Sequence, residues 1–225
     1  MAAAEVLDAG PTTELSRPRL RGVSHEAGAV AMLGLGPLLG LAASGTPAEL
    51  CCSVYAFCLT AMLTVSALFH RVTWSPVGRR RMRRLDHSTI FLAIGGTYTA
   101  VAGLALPGGD RIVVVGIVWA GALAGIVVRL LWLDAPKWAV ALPYLAVGWV
   151  AIAVLPELLH ATGGTGLTLL LAGGAFYTLG AVVYARKRPD PWPATFGYHE
   201  IFHACVLVAL ALHLSLVAFV ILPSR

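Results

Sequence analysis

The chain has 225 residues, 58% of them hydrophobic and 12% charged, with a mean hydropathy of +0.81 and a formal net charge of +5. Average soluble domains carry about twice that share of charge, so a water-soluble globular protein is excluded and a polytopic membrane protein is implied. At about 20 residues per span with short connections, roughly seven helices fit between residue 27 and the C-terminus, with no room for a soluble domain.

In chain order, residues 1–26 are polar and contain no apolar core. No cleavable signal peptide is therefore expected, and the first apolar run must direct insertion. Apolar spans are predicted at 27–44, 50–70, 85–106, 112–133, 138–156, 164–185 and 199–222. The domain organisation is then a cytoplasmic N-terminal segment, 1–26, a seven-helix transmembrane domain, 27–222, and a short tail, 223–225.

Seven spans put the termini on opposite sides, and lysine and arginine choose the side. Arg17, Arg19 and Arg21 precede the first span; Arg71, Arg79, Arg80, Arg81, Arg83 and Arg84 lie around the loop after the second. Arg129 and Lys137 flank the next loop on that face, and Arg186, Lys187 and Arg188 the last, leaving Arg111 and Arg225 opposite. The bias places the N-terminus in the cytoplasm and the C-terminus outside. The expected fold class is all-α, a seven-helix bundle in the cell membrane, the inner membrane of a bacterium.

The run RRRMRR sits beside a helix end, where it fixes topology and touches anionic headgroups; nucleic acid is not an expected partner. Cys51, Cys52, Cys58 and Cys205 lie in or at the edge of apolar segments, show no C-x-x-C spacing, and read as small packing residues. GALAG, Gly121 to Gly125, has the small-x-x-x-small spacing that lets helices approach closely.

An ionisable group inside a span is costly unless it meets a partner or a cavity, which makes each one a functional candidate. Ser66 and His70, in SALFH, share one face of the second span's end. Asp86 and His87 open the third span in LDHSTIF, and His199 and His203, four apart in HEIFH, share a face at the start of the seventh. The topology puts these three patches at one depth on the cytoplasmic side. Imidazoles from His70, His199 and His203 would form a tetrahedral zinc site with one position left for water, as in catalytic sites. Asp86 is placed to accept a proton from that water and Ser66 to orient a substrate carbonyl.

The neighbours are weaker candidates. His87 points about 100° away from Asp86 on a helix and reads as a supporting residue. His213 lies more than two turns deeper and reads as a core residue with its hydrogen bonds made. His25 and Glu26 precede the first span on the same side, near the site or simply interfacial. His160 is on the opposite face.

Four segments together, RPRLRGVSHE, SALFH, RRLDHSTIFLAIGGTYT and FGYHEIFH, resemble the hemolysin III family of bacterial membrane proteins, over about residues 17 to 222. That family is grouped with the progestin and adiponectin receptors and, more distantly, the alkaline ceramidases. The resemblance implies a seven-helix bundle with zinc held by His70, His199 and His203, and with Asp86 and Ser66 lining the site. It also singles out zinc, since imidazole donors alone suit copper, iron or nickel as well. Where many relatives have a proline after TYT, this chain has Ala100, so a kink there is not expected.

Four functions compete. A zinc-dependent hydrolase of a lipid-borne amide or ester would use Asp86 as base and Ser66 at the oxyanion. A membrane sensor or homeostasis factor would use zinc as a structural pin, with a lipid or bilayer property as its signal, because the outer loops carry few anchors for a protein ligand. An intramembrane zinc peptidase would use Glu200, since His199, Glu200 and His203 also satisfy H-E-x-x-H. A pore or transporter is the fourth, because ionisable groups in spans also mark ion paths. Membrane lipids are the expected partners, one of them as substrate; the sequence points to no protein partner.

Overall fold

The computed structural model describes residues 17–132 and 136–224, with side chains 137–140 left out. Expectations for residues 1–16, for the end of the fourth predicted span at Leu133, for Arg225 and for the side chain of Lys137 lie outside the described residues.

The described chain is all-helical apart from one isolated bridge between Trp192 and Phe196. In order come α1 (Val23–Ala42), α2 (Thr46–Arg71), α3 (Pro76–Ala105), α4 (Gly108–Leu131) and α5 (Lys137–Gly148). A tight 3₁₀ stretch at Val150–Val154 then leads into α6 (Leu155–Arg186), and α7 (Tyr198–Leu216) follows. Among the described residues, six helices are long and apolar enough to cross a membrane, counting Ala141–Arg186 as one. The protein is a multi-pass membrane protein.

Short connections make α1, α2, α3 and α4 successive antiparallel neighbours, and α6 packs along α7. α3 is the central post: 72% of its apolar window is buried, against 17% for α4. The outer faces carry Leu33, Leu41, Ile112, Leu123 and Leu131 in the open. That is the belt lipid tails require, and too large an apolar surface for water.

α3 begins at Pro76, well before the predicted 85. Ser75 accepts a hydrogen bond from the Gly78 N–H (3.2 Å) and Pro76 occupies the first turn, so a strong start signal precedes the apolar part. Arg79 to Arg84, expected in a loop, are therefore two turns of helix. Hydropathy sees only where a helix enters lipid, and a capped polar extension is invisible to it.

The stretch Ala141–Arg186 does not run straight. Its 46 residues would extend to about 69 Å as one helix, more than twice a bilayer's hydrocarbon core. Gly163 has φ 65° and ψ −176°, a conformation open almost solely to glycine. Residues symmetric about it meet: the Trp149 indole N–H donates to Thr178 Oγ1 at 3.0 Å. The chain therefore doubles back at Gly163. Gly163→Ala is expected to destabilise the fold by about 1–3 kcal/mol, seen as a lower Tm. Gly164→Ala, where a methyl meets nothing within 4 Å, should be neutral or slightly stabilising.

Where α5 unwinds, its backbone groups need partners in a medium that offers none. Tyr98 of α3 supplies both: its hydroxyl donates to the Gly148 carbonyl (2.7 Å) and accepts from the Ala151 N–H (2.7 Å). Gly125 of the GALAG run lies against Phe91 of α3, where a Cβ would come within 2.1 Å of the ring, and Gly121 faces Val147. The small residues are thus packing positions, and Cys52, Cys58 and Cys205 are buried likewise.

Candidate metal centre

One end of the bundle collects the C-terminus of α2 and the N-termini of α3 and α7. Because α2 and α3 are joined by a short turn, His70 and Asp86 come to the same level on adjacent helices. Their Nε2 and Oδ2 atoms are 3.9 Å apart. The first two turns of α7 add His199 and His203, whose i, i+4 spacing turns both rings inward. Single nitrogens of His70, His199 and His203 all lie within 4.8 Å of one another, with His70 and His203 buried. The Nε2 atoms of His70 and His199 face each other at 3.1 Å.

Nitrogens about 2.0–2.1 Å from one tetrahedral zinc are separated by about 3.3 Å. The His70–His199 pair already has that spacing, and a small inward turn of His203 would complete the set. These residues fit a metal ion, and the donor set is all imidazole.

The structure adds His25. Its ring stacks on that of His203, with centroids 3.7 Å apart and planes 3° from parallel. Its Nδ1 lies 2.9 Å from Ser66 Oγ, and the Ser66 side chain also reaches the Asp86 carboxylate. His25, Ser66 and Asp86 thus form a polar row beside the three histidines, all buried. The sequence put His25 on the correct side. That it turns in to cover His203, when Val30 and Leu33 of the same helix face outward, was not legible without the packing of α1 against α7.

Glu200, the middle of H-E-x-x-H, is committed elsewhere. It is 3% exposed, pairs with Arg21, and accepts the Gly197 N–H at the start of α7 (2.8 Å). It closes the helix N-terminus in the manner of a capping box. Arg21 belongs to a strap, residues 17–22, laid over this end of the bundle. Arg19 and Leu20 donate backbone N–H groups to the Ala194 and Thr195 carbonyls (both 3.1 Å), and Arg17 reaches the carbonyls of His70 and Val72. Gly22, at φ 80°, lets the strap enter α1 directly against His70, where a Cβ would come within 2.6 Å of His70 Cβ.

His87 turns away from the cluster, as its helical angle predicts. Its Nδ1 is 2.6 Å from the buried guanidinium of Arg129, and its carbonyl accepts the Tyr144 hydroxyl (2.8 Å). These contacts brace the turn of α3 that presents Asp86.

From the histidines a cavity of about 150 Å³ runs into the bundle. On α3 its wall extends from Asp86 to Ala102, which is about 24 Å of helix rise. Met62, Ile90, Ile94, Leu145 and Val206 make it a narrow, mainly apolar slot, with its carboxylate and, save for His213, its histidines at one end. A cluster of histidines that could hold a metal ion therefore adjoins a mainly apolar cavity.

The family model for Haemolysin-III related proteins matches residues 13–214. Hemolysin-3 of Bacillus cereus is 31% identical over 172 residues, covering 76% of this chain and 75% of the relative. The Hemolysin-3 homolog of Bacillus subtilis (strain 168) is 32% identical over 142 residues, 63% of each chain. Since the match runs from ahead of the strap almost to the end of α7, across every helix that furnishes the histidine cluster, this chain belongs to the haemolysin-III related family.

Proposed function

We propose that the protein is a zinc-dependent hydrolase of a lipid-borne amide or ester, acting at the cytoplasmic face of the cell membrane. The observation that carries this reading is the junction of two features. Three convergent imidazoles, with a carboxylate beside them, adjoin a narrow, mainly apolar slot. A carbonyl placed at the histidines would have its acyl chain in the slot and its polar portion at the bundle end.

His70, His199 and His203 would hold the zinc, which supplies Lewis-acid polarisation of a carbonyl and of water. Asp86 takes the proton of the attacking water at Oδ2 and returns it to the leaving nitrogen or oxygen. His25, donating from Nδ1 to Ser66 Oγ, leaves the Ser66 proton for Asp86. Once Asp86 is protonated, that serine proton is released toward the developing oxyanion. The slot walls exclude bulk water and fix the acyl chain, and so the carbonyl's approach.

The same reading treats the doubled-back stretch as two spans meeting at Gly163, giving seven in all. The arginine distribution then sets the N-terminus and the metal centre in the cytoplasm, and the C-terminus outside. In a bacterium the membrane is the inner one. The distant likeness of the motifs to alkaline ceramidases favours amide chemistry.

The test is release of free fatty acid, followed by mass spectrometry, from a panel of N-acyl and O-acyl lipids offered to the purified protein. Release that stops on chelation and returns with zinc is expected. A panel left intact by zinc-loaded protein would sink the hydrolase and favour a second reading, a lipid-responsive sensor in which the metal pins α2 to α7. The strap tied over the cluster is the observation that supports this alternative.

A further inference from the structure

His213 is the histidine of the slot farthest along α7 from the metal centre, and the proposed chemistry does not use it. It is 5% exposed on the inner face of α7, and its ring lies 5.7 Å from that of Tyr177, which also lines the slot. Nε2 is 3.1 Å from the Leu170 carbonyl, so that nitrogen must carry the ring's hydrogen and donate it. Nδ1 is then an acceptor, and it is buried with no hydrogen-bond partner among the described residues. Gly173 makes room for the ring: a Cβ there would lie 2.2 Å from Nε2. An orphaned buried acceptor in an apolar medium is costly, and natural structures rarely keep one without a partner.

We infer that His213 is a second recognition point in the slot, accepting a hydrogen bond from a hydroxyl carried partway along a bound acyl chain. The inference rests on reading the slot as an acyl-chain site. The partner must be a donor, since the unpartnered nitrogen is an acceptor. It must also be neutral, because Asp86 is the one carboxylate among the described residues that line the slot and stands at the other end. An ammonium would be left unpaired there, whereas a hydroxyl brings a donor at the lowest desolvation cost.

Position follows from helix geometry. His203 and His213 are ten residues apart on α7, an axial rise of about 15 Å. An extended alkyl chain, with carbon–carbon bonds of about 1.5 Å at tetrahedral angles, advances roughly 1.25 Å per bond, so a hydroxyl reaching His213 from a carbonyl at the metal centre sits about a dozen carbons along. The ligand class is a long acyl chain with a mid-chain hydroxyl, lipid-borne or released.

The test is displacement of fluorescent cis-parinaric acid from metal-stripped protein in nanodiscs by stearic acid and its 2-, 6- and 12-hydroxy derivatives. No turnover is required, so a failed hydrolase assay and a failed binding preference are separate results. The 12-hydroxy acid is expected to bind about five- to tenfold more tightly than stearic acid, the effect of one net neutral hydrogen bond, and the 2- and 6-hydroxy acids more weakly than the 12-hydroxy acid. His213→Leu should erase the advantage while leaving stearic acid affinity within about twofold, since the side-chain volume is nearly kept. Comparing the free 12-hydroxy acid with its monoglyceride identifies the source: tighter binding of the ester points to a lipid-borne chain, of the acid to a released one. Equal binding of stearic and 12-hydroxystearic acids by the native protein would overturn the inference and leave Nδ1 to a buried water. An advantage independent of hydroxyl position, or retained in His213→Leu, would overturn it as well. Should that variant fail to fold, the positional series on the native chain still decides.

Discussion

One zinc per chain is the expected result of elemental analysis on protein purified in detergent without chelator, and His70→Ala and His203→Ala should each abolish it. The two residues come from different helices, far apart in sequence, and the loss in both would show that α2 and α7 share the ion. Removing a group that merely supports a ligand typically costs 10- to 100-fold in metal affinity, so deleting a ligand should cost at least about 100-fold. Glu200→Gln is the matched control. It alters the literal H-E-x-x-H motif without touching the three imidazoles, and should keep its zinc. The closeness of the His70 and His199 nitrogens has two explanations, an ion between them or a hydrogen bond, and metal content separates these. Protein without metal, or with metal indifferent to His70, would sink the three-histidine centre.

The centre was legible in the sequence because two simple constraints acted together. Helical spacing put Ser66 with His70, and His199 with His203, on single faces, while the arginine bias placed all three patches at one level. A bundle of short-looped helices leaves few other ways to bury such groups, so the structure brings together every predicted residue: His70, His199, His203, Asp86 and Ser66. His25 was left undecided for the opposite reason. One histidine at a span's edge has no periodic partner, and its place beside His203 is decided by how α1 rests on α7.

The fold was read in the same uneven way. Apolar runs located the membrane-crossing parts to within a few residues for α1, α2 and α4. They missed the capped basic turns of α3, and they also gave the stretch from 138 to 185 its break without the reason for it. That reason is one glycine at positive φ together with three hydrogen bonds made by two aromatic side chains: Trp149 donates to Thr178, and Tyr98 donates to the Gly148 carbonyl and accepts the Ala151 N–H. Hydropathy ranks residues by their affinity for lipid, and a backbone reversal held by two side chains leaves almost no trace on such a scale. His213 was read as a core residue with its needs met, and half of that holds: one nitrogen is bonded, and the other has no partner among the described residues. Satisfaction is a property of neighbours distant in sequence, which is why no local pattern could report it.

Asp86→Asn and Glu200→Gln should have opposite effects, and the pair separates lipid hydrolysis from peptidase chemistry. Asparagine at 86 keeps the volume and removes the base, so kcat should fall about 10²–10⁴-fold, the usual contribution of a positioned general base. Metal content should hold, since Asp86 Oδ2 is 3.9 Å from His70 Nε2 and is not one of the three convergent donors. Stability should not fall, because a buried carboxylate is replaced by a neutral group of the same shape. Glutamine at 200 should do the reverse. It can still accept the Gly197 N–H, but it discharges the pair with Arg21 and leaves a guanidinium facing a buried neutral amide. A loss of about 1.5–3 kcal/mol in stability follows, the worth of a hydrogen bond to a charged group, seen as a lower Tm with turnover per folded molecule nearly unchanged. Metal peptidases of the H-E-x-x-H type require the motif's glutamate as base. Near-complete loss of turnover in Glu200→Gln with zinc retained would therefore reverse the assignment, and would demand that Glu200 leave both Arg21 and the end of α7 during the reaction.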